Sequence, residues 1–178
     1  MYDPEKMPLT AVLKEWLEAK EWEDEVEILN DGQSSRVSTS FSIEGQSHKC
    51  YLECEEARDS FEVYFYPPYS VPEARIKDAA VLLNRINCRL LQGRLVCSEG
   101  DLPGRIQFKN IVDVEGTELS VKQIGLMIST GLYAFEQFGG VMSAVALTKY
   151  PVDKIWQEFL DAEAEEEKKK ENEGPKEL

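Results

Sequence analysis

The chain has 178 residues, of which 42% are hydrophobic and 30% are charged, a composition typical of one globular domain with an ordinary core. Its 20 basic and 34 acidic side chains give a formal net charge of −14. This balance argues against general binding to nucleic acids or to anionic membrane surfaces, because both depend on positive protein charge. It suits either a soluble, self-repelling protein or one whose partners carry basic segments.

The N-terminal residues lack the basic flank and the apolar core of a signal peptide. No apolar run reaches the roughly 18–20 residues that are needed to span a bilayer. These features predict a cytoplasmic protein in which the cysteines are reduced. The cysteines are Cys50, Cys54, Cys88 and Cys97.

One helix and three strands are predicted in the first half of the chain. Thr10 is a candidate N-cap for the helix, since a threonine hydroxyl can accept hydrogen bonds from the first turn. Gly45 lies in a polar loop between the first two strands, so these strands should form a hairpin. The third strand stops at Pro67, where the ladder loses its donors. The predicted segments are residues 9–17, 37–43, 48–54 and 61–66.

The second half of the chain predicts a helix, a second hairpin, a long helix and a short terminal helix. The second helix starts near Pro72 and is ended by Gly93. Ser120 and Gln123 form a capping box that opens the long helix. The pair Gly139-Gly140 is expected to bend or break it, since glycine is a poor helix former. The hairpin strands are residues 94–98 and 105–112, and the terminal helix starts at residue 151.

The predicted element order is α-β-β-β-α-β-β-α plus a C-terminal helix. Runs of strands and helices in this order are typical of the α+β class, with an antiparallel sheet covered by helices mainly on one face. Residues 1–162 are predicted to form a single domain. Residues 163–178 are charge-dense and have no apolar anchor except the last residue, so we expect them to be disordered.

The most specific sequence feature is a motif at the end of the predicted second helix. It consists of Leu83, Asn84, Arg85, Ile86 and Asn87, followed by Gly93 and a hairpin. This motif and the element order over residues 9–147 resemble the YbjN family, whose fold is close to that of type III secretion chaperones. The resemblance implies a small, acidic, often dimeric protein without enzymatic activity, described as a sensory-transduction or stress regulator. It also implies a role in protein binding, since the chaperone relatives bind unfolded segments of effector proteins.

The residues offer no defensible metal or catalytic site. His48, Cys50 and Cys54 would lie on one strand, and at about 3.3 Å per residue His48 and Cys54 are roughly 20 Å apart. A single ion cannot reach both, so we expect buried core thiols, no metal and no cofactor. No nucleophile–base pair or phosphate-binding glycine loop is apparent either, which predicts a protein that is not an enzyme.

Three tyrosines form the best candidate protein-binding surface. If the second and third strands pair, Tyr51, Tyr64 and Tyr66 lie together on the face away from the core. Exposed aromatic clusters are typical of interaction surfaces. The alternative is that the terminal helix covers these rings through Trp156 and Phe159.

The predicted second helix carries further candidates on its polar side. Arg85 and Arg89 are four residues apart, so they form either a basic docking patch or an ordinary solvated face. Asn84 and Asn87 either contact a partner or a ligand, or they are structural. We favour the structural interpretation, in which Asn87 bonds backbone near the helix end and Asn84 bridges to the hairpin. Leu83, Ile86 and Gly93 are structural members of the same motif.

The sequence therefore favours a non-enzymatic regulator or chaperone-like module that acts by protein contact, as a homodimer or with a client of unknown identity. Neither nucleic acid nor a membrane is an expected partner. The alternative hypothesis is a small-molecule-responsive sensor with a ligand pocket between the sheet and the helices.

Overall fold

A computed structural model describes residues 2–100 and 102–172. This part of the chain forms one six-stranded antiparallel sheet, with strand order β1-β2-β3-β4-β6-β5, and four α-helices. The strands are β1 (Glu27–Leu29), β2 (Ser34–Ile43), β3 (Gln46–Glu55), β4 (Ser60–Tyr66), β5 (Arg94–Cys97) and β6 (Ile106–Asp113). The helices are α1 (Pro8–Ala19), α2 (Ile76–Asn87), α3 (Val121–Leu147) and α4 (Val152–Asn172). The predicted α+β class with an antiparallel sheet is confirmed.

Helices α1, α2 and α3 cover one face of the sheet, and the core lies between them and the strands. Alternate residues of β3 and β4 point into this core, because successive strand side chains face opposite ways. Leu52 lies opposite Val63, and Cys50 lies opposite Phe65. All four side chains are fully buried, as the alternation in the sequence predicts.

Helix α3 approaches the sheet most closely at Gly131. A Cβ atom added at Gly131 would lie 2.5 Å from ring carbons of Phe65 and 3.2 Å from Phe108. The absence of a side chain therefore lets the helix backbone pack directly on two core rings.

The start of α1 differs from the sequence prediction. The helix begins at Pro8, so Thr10 lies inside the first turn and does not cap it. The carboxylate of Glu56 accepts hydrogen bonds from the Leu9 and Thr10 backbone N–H groups, at 3.2 and 2.8 Å. The Thr10 hydroxyl donates to Glu56 as well, at 2.7 Å. The free N–H groups of the first turn are thus satisfied by a residue that follows β3.

Two helices in the second half of the chain differ from the sequence prediction. Helix α3 runs through Gly139-Gly140 without interruption, although each glycine costs about 1 kcal/mol relative to alanine. Phe138 and Val141 on either side are buried, and this packing holds the helix together across the pair. Helix α2 ends at Asn87, well before Gly93, and a separate 3₁₀ turn (Glu73–Arg75) follows Pro72.

Strand β1 was not predicted from the sequence. It pairs through three residues with the start of β2, with Glu27 opposite Arg36. Val26 and Ile28 alternate with Glu25 and Glu27, but this pattern is short and lies in an acidic stretch, so it was not recognised as a strand.

Helix α4 continues to Asn172 and so enters the segment that the sequence predicts to be disordered. Residues 173–178 lie outside the described residues, and the disorder of the tail stays a prediction. Within residues 2–100 and 102–172, no helix combines the length and the apolar character needed to cross a membrane.

Candidate functional site

Tyr51, Tyr64 and Tyr66 share the face of the sheet opposite the core, and we call this surface the tyrosine face. Tyr51 on β3 lies directly opposite Tyr64 on β4. The Tyr51 and Tyr66 rings meet edge to face, with centroids 5.8 Å apart. All three rings are half-buried, and their immediate neighbours are side chains of the same sheet face.

A cation lies over each ring of the tyrosine face. The Arg105 guanidinium is 4.0 Å from the Tyr66 centroid, and the Lys109 ammonium is 5.4 Å from the Tyr64 centroid. The Arg36 guanidinium is 5.5 Å from the Tyr51 centroid and also pairs with Glu53, at 2.7 Å. Cation–π contacts of this kind hold rings and cations in fixed places. The tyrosine face is therefore an ordered aromatic and charged surface.

The tyrosine hydroxyls are tied into the same network. Tyr64 donates to the Glu62 carboxylate, and the Gln107 amide donates to the Tyr66 hydroxyl. Burial raises the pKa of Tyr64 above its ordinary range, and the Glu62 hydrogen bond and charge add to this. Burial is also the main cause that raises the pKa of Tyr66. Both phenols are consequently neutral at physiological pH and act as hydrogen-bonding groups.

The terminal helix does not cover these rings. Trp156 and Phe159 stack on each other with centroids 5.2 Å apart, and Phe159 packs 5.5 Å from Phe138 on α3. Both residues therefore belong to the helical side of the molecule, across the sheet from the tyrosines.

Arg85 and Arg89 bind α4. The Arg85 guanidinium lies 2.5 Å from the Asp153 carboxylate. Arg89 donates to both carboxylate oxygens of Glu163, at 2.6 and 2.7 Å. Its guanidinium also lies 5.4 Å from the Phe159 ring centroid. The basic patch that the sequence suggested is thus occupied by an acidic helix of the same chain.

The motif at the end of α2 connects this helix to β5. The Asn87 side chain donates to the Leu95 carbonyl at 2.9 Å and accepts from the Leu95 N–H at 2.7 Å. Asn84 is exposed, so the bridge to the hairpin is made by Asn87. Leu83 and Ile86 are buried in the core. Gly93 has φ 71°, and a Cβ there would lie 2.3 Å from the Phe108 ring.

His48, Cys50 and Cys54 point into the core from β3. Burial raises the pKa of Cys54 to about 12 and raises that of Cys50 as well, so both thiols stay protonated. The His48 ring lies 4.8 Å from the Phe135 ring, and burial lowers its pKa. In the part of the chain that the structure describes, no group of three His, Cys, Asp or Glu side chains could hold a metal ion.

One cleft of about 380 Å³ lies between β6 and the first half of α3. Its floor includes Asn110, a buried residue whose Nδ2 atom has no hydrogen-bond partner among the described residues. All of the lining side chains are uncharged. They belong to Gln92, Gly93, Asn110, Ile111, Val112, Gln123, Leu126 and Met127.

Sequence analysis did not identify the cations of the tyrosine face as functional candidates. The alternation of β6 correctly places Arg105 and Lys109 on its outer side. The strand order could not be read from the sequence, because β4 pairs with β6, which follows it in the chain only after α2 and β5. This pairing places Tyr64 opposite Lys109.

Three solved structures are similar to this chain at low sequence identity. The crystal structure of YbjN from E. coli, described as a putative transcription regulator, is 10% identical with a TM-score of 0.49, covering 73% of this chain and 90% of that one. The HopA1–SchA chaperone–effector complex is 16% identical with a TM-score of 0.47, covering 77% and 96%. The ExsC–ExsE complex is 11% identical with a TM-score of 0.46, covering 74% and 93%. No curated protein matches this chain.

A family model also matches the sequence. It is that of YbjN, described as "putative bacterial sensory transduction regulator", and it matches residues 10–142. The matched span runs from α1 into α3 and includes every strand of the described sheet, whereas α4 lies beyond it. Because the match covers well over half of the 178 residues, this chain belongs to the YbjN family.

Proposed function

We propose that this protein is a non-enzymatic regulator or chaperone-like module that binds another protein through the tyrosine face. The observation that supports this most is the row of Tyr51, Tyr64 and Tyr66 with a cation over each ring. Aromatic residues and arginine are enriched where proteins bind proteins, and they carry most of the binding energy there. The family description as a regulator agrees with a role in binding.

The rigidity of the tyrosine face also supports this proposal. Its side chains stand on the central strands β3 and β4 and are held by hydrogen bonds and ion pairs. Groups that are ordered before binding lose little entropy when a partner docks. The partner is either a second copy of this chain, which would form a homodimer through a two-fold interface, or a client protein.

The test is to replace Tyr64 with glutamate and Tyr51 with alanine, in separate variants. Each buried aromatic ring contributes about 1.5–3 kcal/mol to an interface, so either change should weaken dimerisation or client capture. Light scattering measures the dimer, and affinity capture from the native host followed by mass spectrometry identifies clients. The matched control is Tyr133→Glu, since Tyr133 is an exposed tyrosine on α3.

Circular dichroism must show that each variant is folded. If Tyr51→Ala and Tyr64→Glu both leave the dimer and the captured proteins unchanged, the tyrosine face is not the binding surface. Tyr64→Glu places a second carboxylate beside Glu62 and could therefore unfold the protein. Tyr51→Ala introduces no charge, so it tests the same surface without this risk.

A second candidate function is a small-molecule-responsive sensor. It is favoured by the uncharged cleft at Asn110 and its unpartnered amide. Such a lining suits an uncharged ligand with an apolar body and a carbonyl that accepts from the amide. Hexanamide is a suitable probe, observed through the methyl resonance of Met127. Leu126→Ser should abolish the change in the Met127 resonance. The control Leu102→Ser, which alters a residue elsewhere on the surface, should retain it. If hexanamide causes no change in the wild type, this candidate function is wrong.

A further inference from the structure

Helix α4 is attached to the rest of the molecule by polar contacts along one side of α2. Arg85 contacts Asp153, and Arg89 contacts Glu163. Just before α2, Arg75 donates to the carbonyl of Tyr150 at 2.7 Å, in the segment that joins α3 to α4. Arg75, Arg85 and Arg89 thus contact α4 or the segment before it.

The apolar part of this attachment is only partly buried. Ile155 is the α4 side chain that is most completely buried, with 4% of its surface exposed, while Trp156 and Phe159 are half-buried. A space of about 360 Å³ remains between α3 and α4, bordered by Val141 and Phe159 among others. This space is open to solvent, so part of the α3 surface beside α4 remains uncovered.

The ion pairs between α2 and α4 are also partly exposed to solvent, which makes them weak. The side chains of Arg89 and Glu163 are 35% and 37% exposed, and that of Asp153 is 81% exposed. Exposed ion pairs stabilise proteins little and are weakened further by salt. Release of α4 would leave the sheet and its core in place, because the core residues of the strands pack on α1, α2 and α3.

We propose that the surface beneath α4 is a docking site for an acidic amphipathic helix of another protein, and that α4 is a built-in occupant which this helix displaces. We call this surface the α2–α3 groove. It has Arg85 and Arg89 on its rim and Phe138 and Val141 on its floor. The α2–α3 groove is formed by helices, whereas the tyrosine face lies on the sheet. This proposal therefore goes beyond the function proposed above.

The chemistry of the partner follows from the way α4 fits. Asp153, Trp156, Phe159 and Glu163 are spaced by three, three and four residues and lie along one side of a helix. The two acids meet the arginines, and Phe159 contacts the ring of Phe138. Apolar anchors at helical spacing in a groove are a general mode of helix recognition. In a chain of net charge −14, this basic rim selects an acidic helix.

The experiment measures binding of a labelled peptide to the full chain by fluorescence anisotropy. The probe is a synthetic peptide with the sequence of residues 150–172, and a scrambled peptide is its control. The release variant, Asp153→Asn with Glu163→Gln, weakens the attachment of α4 and leaves the residues of the α2–α3 groove unaltered. The control variant, Glu158→Gln, alters an α4 acid that is 62% exposed and whose ion pair, among the described residues, is with Lys154 on the same helix.

We expect the release variant to bind the peptide at least about fivefold more tightly than the wild type, whose tethered α4 competes at high effective concentration. Glu158→Gln should behave like the wild type. Adding Arg85→Gln and Arg89→Gln to the release variant should weaken peptide binding by at least about fivefold. In the wild type, the peptide should lower the hydrogen-exchange protection of α4 amides.

Three results would overturn the proposal: equal affinity of the wild type and the release variant, an affinity that loss of both arginines leaves unchanged, or equal binding of the scrambled peptide. The exchange measurement uses the unaltered chain, so it does not depend on folding of a variant. Capture through the tyrosine face should be unaffected by the release variant, which keeps the two surfaces distinguishable.

Discussion

The guanidinium of Arg89 binds both carboxylate oxygens of Glu163, two residues that are 74 positions apart in the chain. Both hydrogen bonds come from one guanidinium nitrogen of Arg89, which connects α2 to α4. The contact lies within helix α4, one residue beyond the domain boundary predicted at 162.

Truncation after Ala162 tests how much the charged segment contributes to stability. It removes the contact between Glu163 and Arg89, which is worth about 0.2–1 kcal/mol for a partly exposed pair. We expect the melting temperature to fall by no more than about 2–4 °C, measured by circular dichroism. Glu163→Gln in the full chain should cause most of the same fall. A drop of ten degrees or more would show that residues after 163 dock elsewhere.

His48 should make stability depend on pH. Burial lowers its pKa in the folded state, while a hydrogen bond to the Gln46 carbonyl and the Glu44 charge oppose this in part. The unfolded chain therefore takes up the proton first, and stability that is present above pH ~6.5 is lost as the pH falls below it. Urea unfolding at pH 7.5 and 5.5 should show this loss.

The control for that measurement is His48→Leu. His48 is the single histidine of the chain, so the variant removes all histidine titration. The loss between the two pH values should shrink in His48→Leu, even if the variant is less stable at both. An unchanged loss would assign the pH dependence to carboxylates.

Two glycines of α3 should respond oppositely to alanine. A Cβ at Gly131 would lie 2.5 Å from the Phe65 ring, so Gly131→Ala should destabilise the protein by about 1–3 kcal/mol. Nothing lies within 4 Å of a Cβ at Gly140, so Gly140→Ala should stabilise it by about 0.5–1 kcal/mol. Denaturant unfolding of both variants measures this, and the same sign for the two would contradict the close approach of α3.

The purified protein should contain no stoichiometric zinc. His48, Cys50 and Cys54 point into an apolar core, and burial keeps the two thiols protonated, which is the form that does not bind metal. Elemental analysis is the measurement. Zinc at one atom per chain that disappears on Cys50→Ser would disprove this prediction.

The central strands could be predicted from the sequence because their signal is local. Residues 48–54 and 61–66 alternate between apolar and polar, and this alternation alone placed Tyr51 and Tyr64 on the outer face. The cap of α1 could not be predicted, because Glu56 reaches it from 46 residues away in sequence. The contact of Arg89 with α4 was missed for the same reason.

Propensity also misled where packing decided the outcome. Gly139-Gly140 is a poor helix sequence, yet buried neighbours on both sides keep α3 continuous. Strand β1 shows only a short alternation of Val26 and Ile28 with glutamates, and its pairing with β2 makes it a strand. These differences arise from tertiary contacts, which a short window of sequence does not contain.

The Glu56 carboxylate at the start of α1 has a consequence for the order of folding. An isolated helix of 12 residues is marginal in water, and the first turn of α1 takes two of its backbone hydrogen bonds from a residue beyond the β2–β3 hairpin. We therefore expect α1 to become stable only after that hairpin has formed. During synthesis, Leu13 and Trp16 would then stay exposed until the ribosome has released residue 56.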